Sequence, residues 1–121
     1  MLEELEGYVS LPPWVEIRTV GDRSMLLRLL QDLDPGEAEA LALAVELKAD
    51  RVLIDGRHER EVAERLGLRF IGVLGVLLEA KDRGHLVAVR PVLDELVDSK
   101  RFWLSTRLRR EVLKAAGEAA E

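Results

Sequence analysis

The sequence predicts an α/β fold in which a short parallel β-sheet is flanked by helices. The runs "RVLID" (residues 51–55) and "LRFIG" (residues 68–72) are short and apolar, and charged residues or glycine bound them. Such runs are typical of buried parallel strands. Segments with helical periodicity precede, separate and follow the two runs, and strands that alternate with helices favour a parallel sheet covered by helices. A chain of 121 residues fits one compact domain, so we expect residues 1–121 to form a single domain.

The N-terminal residues predict a helical piece, a strand and a helix, in that order. Residues 1–7 favour a short helical piece. Two adjacent prolines then impose extended backbone, and "WVEIRTV" (residues 14–20) alternates like a short strand. Asp22 is a suitable N-cap for a helix over residues 23–31, because apolar residues recur there at helical spacing.

The motif "DPGE" marks the start of the next helix, which we expect to run to about residue 48. Asp34 is the N-cap, Pro35 fits the first helical position, and Glu37 occupies the third. Glutamate at the third position can reach back to the N-cap backbone, which completes a capping box.

Glycine marks the end of three of the four remaining helices. The last helix has Ser105 or Thr106 at its start. The predicted helices cover residues 58–66 before Gly67, 72–83 before Gly84, 92–99, and 107–116 before Gly117.

Composition excludes several classes of protein. The chain has no cysteine, which excludes disulfides and thiolate metal sites and fits a reducing cytoplasm. Its longest apolar run, "FIGVLGVLL", is too short to span a bilayer, so we expect no membrane association. The net charge of −5 argues against a domain that holds nucleic acid by bulk electrostatics, although it permits a local basic groove.

Two carboxylates are the main candidates for a functional site. On a helix that turns by about 100° per residue, Glu37 lies roughly 160° from Glu39 and Glu46, so it points away from their solvent stripe. Asp55 follows an apolar run at the carboxyl end of a strand, which is the edge where open α/β sheets bind ligands. Glu37 and Asp55 can converge on one Mg²⁺ or Mn²⁺, because these hard cations prefer carboxylate oxygens and water.

Both carboxylates also have a purely structural interpretation. Glu37 fits a capping box with Asp34, and acids favour helix N-termini in general. Asp55 can cap the helix that follows it. Spacing alone therefore leaves a metal site and two helix caps open as alternatives.

Basic residues follow Asp55 closely, after Gly56. Arg57, His58 and Arg60 are candidates for contacts with nucleic acid, and Arg57 is the strongest phosphate candidate because it lies next to the proposed site. Acids such as Glu59 interleave with them, so an ordinary solvated helix face is the alternative.

Three segments carry a family resemblance: "LDPGEAEALALAVELKADRVLIDGR", "VAERLGLRFIGVLGVLLEAKDRGHL" and "FWLSTRLRREVLKAAGE". Together they resemble the PIN-like nuclease superfamily, in particular its prokaryotic subgroup of predicted nucleic-acid-binding proteins. The resemblance implies a parallel α/β sheet flanked by helices and metal-dependent cleavage of RNA, often as the toxin of a toxin–antitoxin pair. It also implies a cluster of three or four acids around Mg²⁺ or Mn²⁺, with the helix glutamate at Glu37 and the strand-end aspartate at Asp55.

The sequence departs from this family pattern in two places. Relatives begin with a strand that carries the first ligand, whereas "MLEELEGYVSLPPW" resembles the end of a later segment. We therefore expect an N-terminally shortened chain that lacks the family's first strand and its ligand. Relatives also often carry a second acid directly after the strand-end aspartate, where this chain has Gly56.

These observations predict a nucleic-acid-binding protein with an incomplete acidic metal site at Glu37 and Asp55. It would be a degenerate metal-dependent ribonuclease that holds Mg²⁺ or Mn²⁺ weakly or not at all. RNA and an antitoxin-like protein are the expected partners. Loss of a strand leaves a sheet edge uncovered, so we also expect a homodimer. The alternative is a non-enzymatic homodimeric interaction module with no metal.

Overall fold

The computed structural model describes residues 11–99 and 102–118, and these ranges contain six helices and one parallel two-stranded sheet. The predicted α/β class is therefore confirmed. The helical piece predicted for residues 1–7 lies outside the described residues. Internal contacts divide the chain into two units, Met1–Ala49 and Asp50–Glu121. The single domain and the shortened N-terminus stay predictions.

The first unit contains helices α1 (Arg23–Leu29) and α2 (Pro35–Leu47), which pack against each other. The predicted caps of both helices are confirmed. Asp22 Oδ1 accepts a hydrogen bond from the Met25 N–H at 3.1 Å. Asp34 and Glu37 form the full capping box at the start of α2. Each helix therefore begins where a short-range side-chain acceptor satisfies a free N–H.

One face of α2 is buried and the opposite face is exposed to solvent. Ala38 and Leu41 are fully buried on the first face, whereas Glu39 and Glu46 are exposed, as predicted. Glu46 nevertheless has a structural role. Its Oε1 accepts hydrogen bonds from the N–H groups of Gly21 and Asp22 at 2.8 and 2.9 Å. The carboxylate thus fixes the segment before α1 to the last turns of α2.

The strand predicted for residues 14–20 is wrong, because these residues form no strand. Val15 closes a turn by donating its N–H to the Pro12 carbonyl at 3.0 Å. Trp14 and Ile17 are 81% and 61% exposed. Alternation of apolar and polar residues favours extended backbone, but a β-strand also needs a neighbouring strand that hydrogen-bonds to it.

The second unit contains strands β1 (Val52–Leu53) and β2 (Phe70–Ile71), joined through helix α3 (Arg57–Arg65). They are parallel, with Val52 opposite Phe70 and Leu53 opposite Ile71. Both strands were predicted, and both are shorter than the apolar runs that indicated them. Three further helices complete the unit, namely α4 (Val73–Asp82), α5 (Arg90–Asp98) and α6 (Thr106–Ala115).

Alternation along β1 separates a buried face from an exposed one. The Val52 N–H donates to the carbonyl of Arg69, which directly precedes β2, at 2.9 Å. The Ile54 N–H donates to the carbonyl of Ile71 in β2 at 3.0 Å. The N–H and C=O of Leu53 consequently point to the other edge of β1. The Ile54 side chain is 3% exposed and that of Leu53 is 57% exposed.

Helices α4, α5 and α6 surround the main apolar cluster of the second unit. Its buried members are Val89, Leu93, Val112 and Leu113. Glycines in the left-handed conformation end α3, α4 and α6 as predicted, namely Gly67, Gly84 and Gly117. Of the two tryptophans in the chain, Trp103 lies in this unit and is 85% exposed. Across the described ranges, no helix is both long enough and apolar enough to cross a membrane.

Glu118, which follows α6, closes the second unit by a clamp on α4 and α5. Its Oε2 accepts hydrogen bonds from Lys81 Nζ and from the Val89 N–H, both at 2.8 Å. Its Oε1 accepts from the Arg90 N–H at 3.2 Å. Val89, the N-cap of α5, has no side-chain acceptor, so a distant glutamate caps that helix. The hydrogen bond from Lys81, followed by that from the Val89 N–H, lowers the pKa of Glu118 to about 2.

We expect acid to weaken the fold through Glu118. Its carboxylate has a folded-state pKa of about 2 against an ordinary value of 4.5. The stabilisation it provides is therefore complete above the ordinary value and is lost as the pH falls towards the folded-state pKa. Urea unfolding across this window should show a shallower loss of stability for Glu118→Gln than for the parent chain. Parallel curves for the two proteins would contradict the clamp.

We expect Leu93→Ala to lower the free energy of unfolding by about 2–5 kcal/mol, because Leu93 is fully buried in the apolar cluster. The matched control is Val87→Ala at a side chain that is 97% exposed. It should change stability by less than about 0.5 kcal/mol. Denaturant unfolding measures both, and equal effects would show that the cluster is not the core of this unit.

Candidate acidic site

Asp55 stands at the carboxyl end of β1 and is held there by two contacts. Its Oδ1 accepts a hydrogen bond from the Val73 N–H at 3.1 Å. Its backbone carbonyl accepts from Arg60 Nη2 at 3.0 Å. Since Val73 is the first residue of α4, Asp55 caps the helix that follows the neighbouring strand. The alternative in which Asp55 caps α3 is wrong, because the N-cap of α3 is Gly56 and no side chain caps that helix.

Gly72 makes this contact possible. A Cβ at Gly72 would lie 2.8 Å from Asp55 Oδ1 and 3.5 Å from the Ile54 carbonyl oxygen. Gly75, one turn into α4, is equally restricted, because a Cβ there would lie 2.8 Å from Ile71 Cγ1. The Gly-x-x-Gly spacing in "GVLGVLLEAK" therefore serves close packing of α4 against the strand ends. Sequence reasoning missed the role of Gly72 as the partner of Asp55, although a glycine between a strand and a helix was a visible signal.

Glu37 lies in the first turn of α2 and is half-buried. Its Oε1 accepts from the Asp34 N–H at 3.3 Å, and its own N–H donates to Asp34 Oδ1 at 2.9 Å. The capping role predicted for Glu37 is thus confirmed. Glu37 is also less exposed than Glu39 and Glu46 on the solvent stripe, as the helical angles predicted.

Each carboxylate uses one oxygen and retains the other. Among the described residues, Glu37 Oε2 and Asp55 Oδ2 accept no hydrogen bond. Glu37 belongs to the first unit and Asp55 to the second. Mg²⁺ and Mn²⁺ bind oxygen donors of this type. Over residues 11–99 and 102–118, however, no group of three or more His, Cys, Asp or Glu side chains is arranged to hold a metal ion. These residues therefore do not supply the family's set of three or four acids, and the metal role of the two acids stays a prediction.

The basic candidates lie in the first turns of α3. Arg57 is exposed and makes no hydrogen bond or ion pair with the described residues. His58 Nδ1 lies 3.8 Å from Glu61 Oε2, and both side chains are more than half exposed. Arg60 is exposed and bonded to the Asp55 carbonyl. Arg57 is therefore the candidate whose charge is most available to a ligand.

Glu59 differs from the other acids of α3, because it is only 6% exposed. Its interpretation as part of a solvated face is wrong. It shares a buried face with Val62 and Ala63, at the spacing of one helical turn. The helical spacing of Glu59 from Val62 and Ala63 can be read from the sequence. A charged residue is nevertheless expected to be exposed, so the spacing was not used to place Glu59 on the buried face.

The chain matches a family model described as a PIN domain over residues 3–118. No curated protein matches the chain. No solved structure matches it either. The family match covers nearly the whole sequence, including both candidate acids and the basic residues of α3.

We expect Gly72→Ala to destabilise the chain by about 1–3 kcal/mol, because the new methyl group would displace Asp55 from the start of α4. Gly36→Ala is the matched control. A Cβ at Gly36 would meet only Asp34 Oδ1 at an ordinary 3.7 Å, so that variant should be neutral or slightly stabilising. Thermal unfolding compares the two. A neutral Gly72→Ala would disprove the close approach.

Proposed function

This chain belongs to the PIN domain family, and on that premise we propose that it binds RNA at an incomplete acidic metal site and acts as a degenerate metal-dependent ribonuclease. The observation that carries the proposal is the position of Asp55. Its carboxylate stands at the carboxyl end of a parallel strand, with Oδ1 fixed by the Val73 N–H and Oδ2 open to a ligand. That edge is where α/β folds bind their ligands.

Glu37 and Asp55 are the proposed ligands of a weakly held Mg²⁺ or Mn²⁺. Each carboxylate accepts a hydrogen bond from a backbone N–H, that of Asp34 for Glu37 and that of Val73 for Asp55, and keeps its other oxygen available. A rigidly held oxygen loses little entropy when it binds a cation, which favours binding even at a site with few ligands. Two carboxylates also leave most of the coordination shell to water, which suits Mg²⁺ but limits its affinity. Strong catalysis is therefore not expected.

Arg57, His58 and Arg60 are the proposed contacts with the RNA backbone. All three are exposed in α3, which begins two residues after Asp55. The guanidinium of Arg57 suits bidentate contact with a phosphate. Because the whole chain carries a net charge of −5, binding must depend on this local cluster. An antitoxin-like protein is a second proposed partner, on the grounds of family membership alone.

A second candidate function is a non-enzymatic homodimeric module without metal. The open edge of β1 favours it, because the exposed Leu53 side chain and the outward-facing Leu53 backbone have no neighbouring strand among the described residues. Protein sheets generally protect such edges. The two candidates share the dimer and differ in whether metal and RNA bind.

We expect calorimetric titration with Mn²⁺ to show weak binding that disappears in the double variant Glu37→Gln, Asp55→Asn. Both replacements keep an oxygen for the helix cap and remove the charge, so the fold should survive. Glu39→Gln, on the exposed stripe of α2, is the matched control and should bind like the parent. Binding that persists in the double variant would remove these residues from the site, and no binding by the parent would favour the module.

We expect single-stranded RNA to bind with a salt-dependent affinity that Arg57→Ala lowers, as measured by fluorescence anisotropy. Arg107→Ala, at another exposed arginine, in α6, is the control and should have a smaller effect. Any cleavage of the RNA in Mn²⁺ should be slow and absent from the double variant at Glu37 and Asp55. Cleavage that persists in that variant would contradict the assignment of Glu37 and Asp55 as metal ligands.

A further inference from the structure

We propose that β1 is the interface of a two-fold symmetric homodimer, in which β1 of one copy pairs antiparallel with β1 of a second copy about Leu53. This inference rests on the dimer that both candidate functions contain, and it names the interface. Its test needs neither metal nor RNA, so it can fail or hold separately from the ribonuclease.

The backbone of Leu53 has the geometry that such a pairing needs. Since Val52 and Ile54 donate towards β2, the N–H and C=O of Leu53 both point to the opposite edge. Among residues 11–99 and 102–118, no strand lies on that edge. Two copies that face each other at Leu53 would exchange two hydrogen bonds between the same residue of each copy. That exchange is the hydrogen-bonded pair of an antiparallel ladder.

The side chains of β1 are self-complementary in this register. Arg51, Leu53 and Asp55 alternate onto one face and are all exposed, whereas Ile54 is buried. A two-fold axis through the Leu53 pair places Leu53 opposite its own copy. It also places Arg51 opposite the partner subunit's Asp55, twice in each dimer. Directly opposed side chains have Cβ atoms about 4.5–5.5 Å apart, within reach of an apolar contact and an ion pair.

Both charged residues have capacity for this second contact. Arg51 binds Glu79 through Nη1 at 2.7 Å and Nη2 at 3.3 Å, and its side chain remains 44% exposed. A guanidinium carries five donors, so three N–H groups remain. Asp55 Oδ2 accepts no bond from the described residues. A strand of the pattern cation, leucine, anion thus fits its own copy in the antiparallel direction, whereas parallel pairing would oppose like charges.

The same register has a consequence for Asp55. The partner subunit's Arg51 would approach the carboxylate oxygen that is proposed to bind a cation. Dimerisation and cation binding at Asp55 would then compete, and each would weaken the other by the same factor.

Cysteine cross-linking is the direct test. The chain contains no cysteine, so Leu53→Cys introduces a single thiol. Residues in a hydrogen-bonded antiparallel pair have Cα atoms about 5.5 Å apart, which lies inside the range that a disulfide spans. Oxidation by copper phenanthroline, which accepts the two electrons and releases two protons from the thiols, should yield a covalent dimer. Val87→Cys, at a side chain that is 97% exposed, is the control and should yield no covalent dimer under the same oxidation.

Charge exchange tests the register. Arg51→Asp and Asp55→Lys each oppose like charges, so sedimentation velocity should show each variant shifted to monomer. An equimolar mixture of the two should restore dimers, because every cross-strand pair is then opposite in charge. Arg51→Asp also breaks the Arg51–Glu79 pair, so Glu79→Gln is the matched control and should stay dimeric.

Leu53→Lys keeps the proposal falsifiable if Asp55→Lys does not fold. It replaces an exposed side chain and opposes two ammonium groups at the axis, so it should abolish the dimer without lowering stability. A parent chain that stays monomeric over a concentration series would overturn the proposal. So would a dimer that neither Leu53→Lys nor Arg51→Asp weakens.

Discussion

The hydrogen bond from the Val73 N–H to Asp55 Oδ1 is the contact on which the second unit depends. It joins the end of one strand to the start of the helix that follows the other, so it fixes both strands and α4 in one register. The contact exists only because Gly72 has no side chain. The structural role of Asp55 therefore falls on one carboxylate oxygen, Oδ1, and the proposed functional role falls on the other, Oδ2. A replacement at position 55 that lacks a side-chain oxygen would therefore remove the cap of α4.

A similar contact occurs at the other end of α4. Glu118 reaches the N-terminus of α5 from the end of the described chain and binds Lys81 of α4 at the same time. Asp55 and Glu118 both satisfy helix N–H groups that local residues leave unmet, because Gly72 and Val89 have no side-chain acceptor. Short helices of nine or ten residues benefit from such caps, since isolated helices of this length are marginal in water. Long-range carboxylates thus replace the local caps that Asp22 and Asp34 supply in the first unit.

The sequence predicts the contacts between residues that are close along the chain, and it does not predict those between distant residues. The caps at Asp22, Asp34 and Ser105 and the glycine stops were predictable, because donor and acceptor lie within a few residues. The strand predicted for residues 14–20 is absent, and the sequence could not reveal this, since pairing depends on a neighbouring strand that periodicity does not show. The partners of Asp55 and Glu118 could not be predicted either, because they are distant in the sequence. Val73 is 18 residues from Asp55, and Val89 is 29 residues from Glu118. For the acidic site, the residue types and the strand end were visible in the sequence, whereas the hydrogen bond that Asp55 Oδ1 accepts from the Val73 N–H required coordinates.

The exposure of Trp14 and Trp103 decides how this protein can be observed. They are the only tryptophans of the chain, and both indole rings lie largely in solvent. Intrinsic fluorescence will therefore already resemble that of free tryptophan in the native state, and it will change little when the core melts. Unfolding is better followed by the helical circular dichroism signal. The same exposure makes the two indoles sensitive optical reporters of anything that docks beside them, with no label to be introduced.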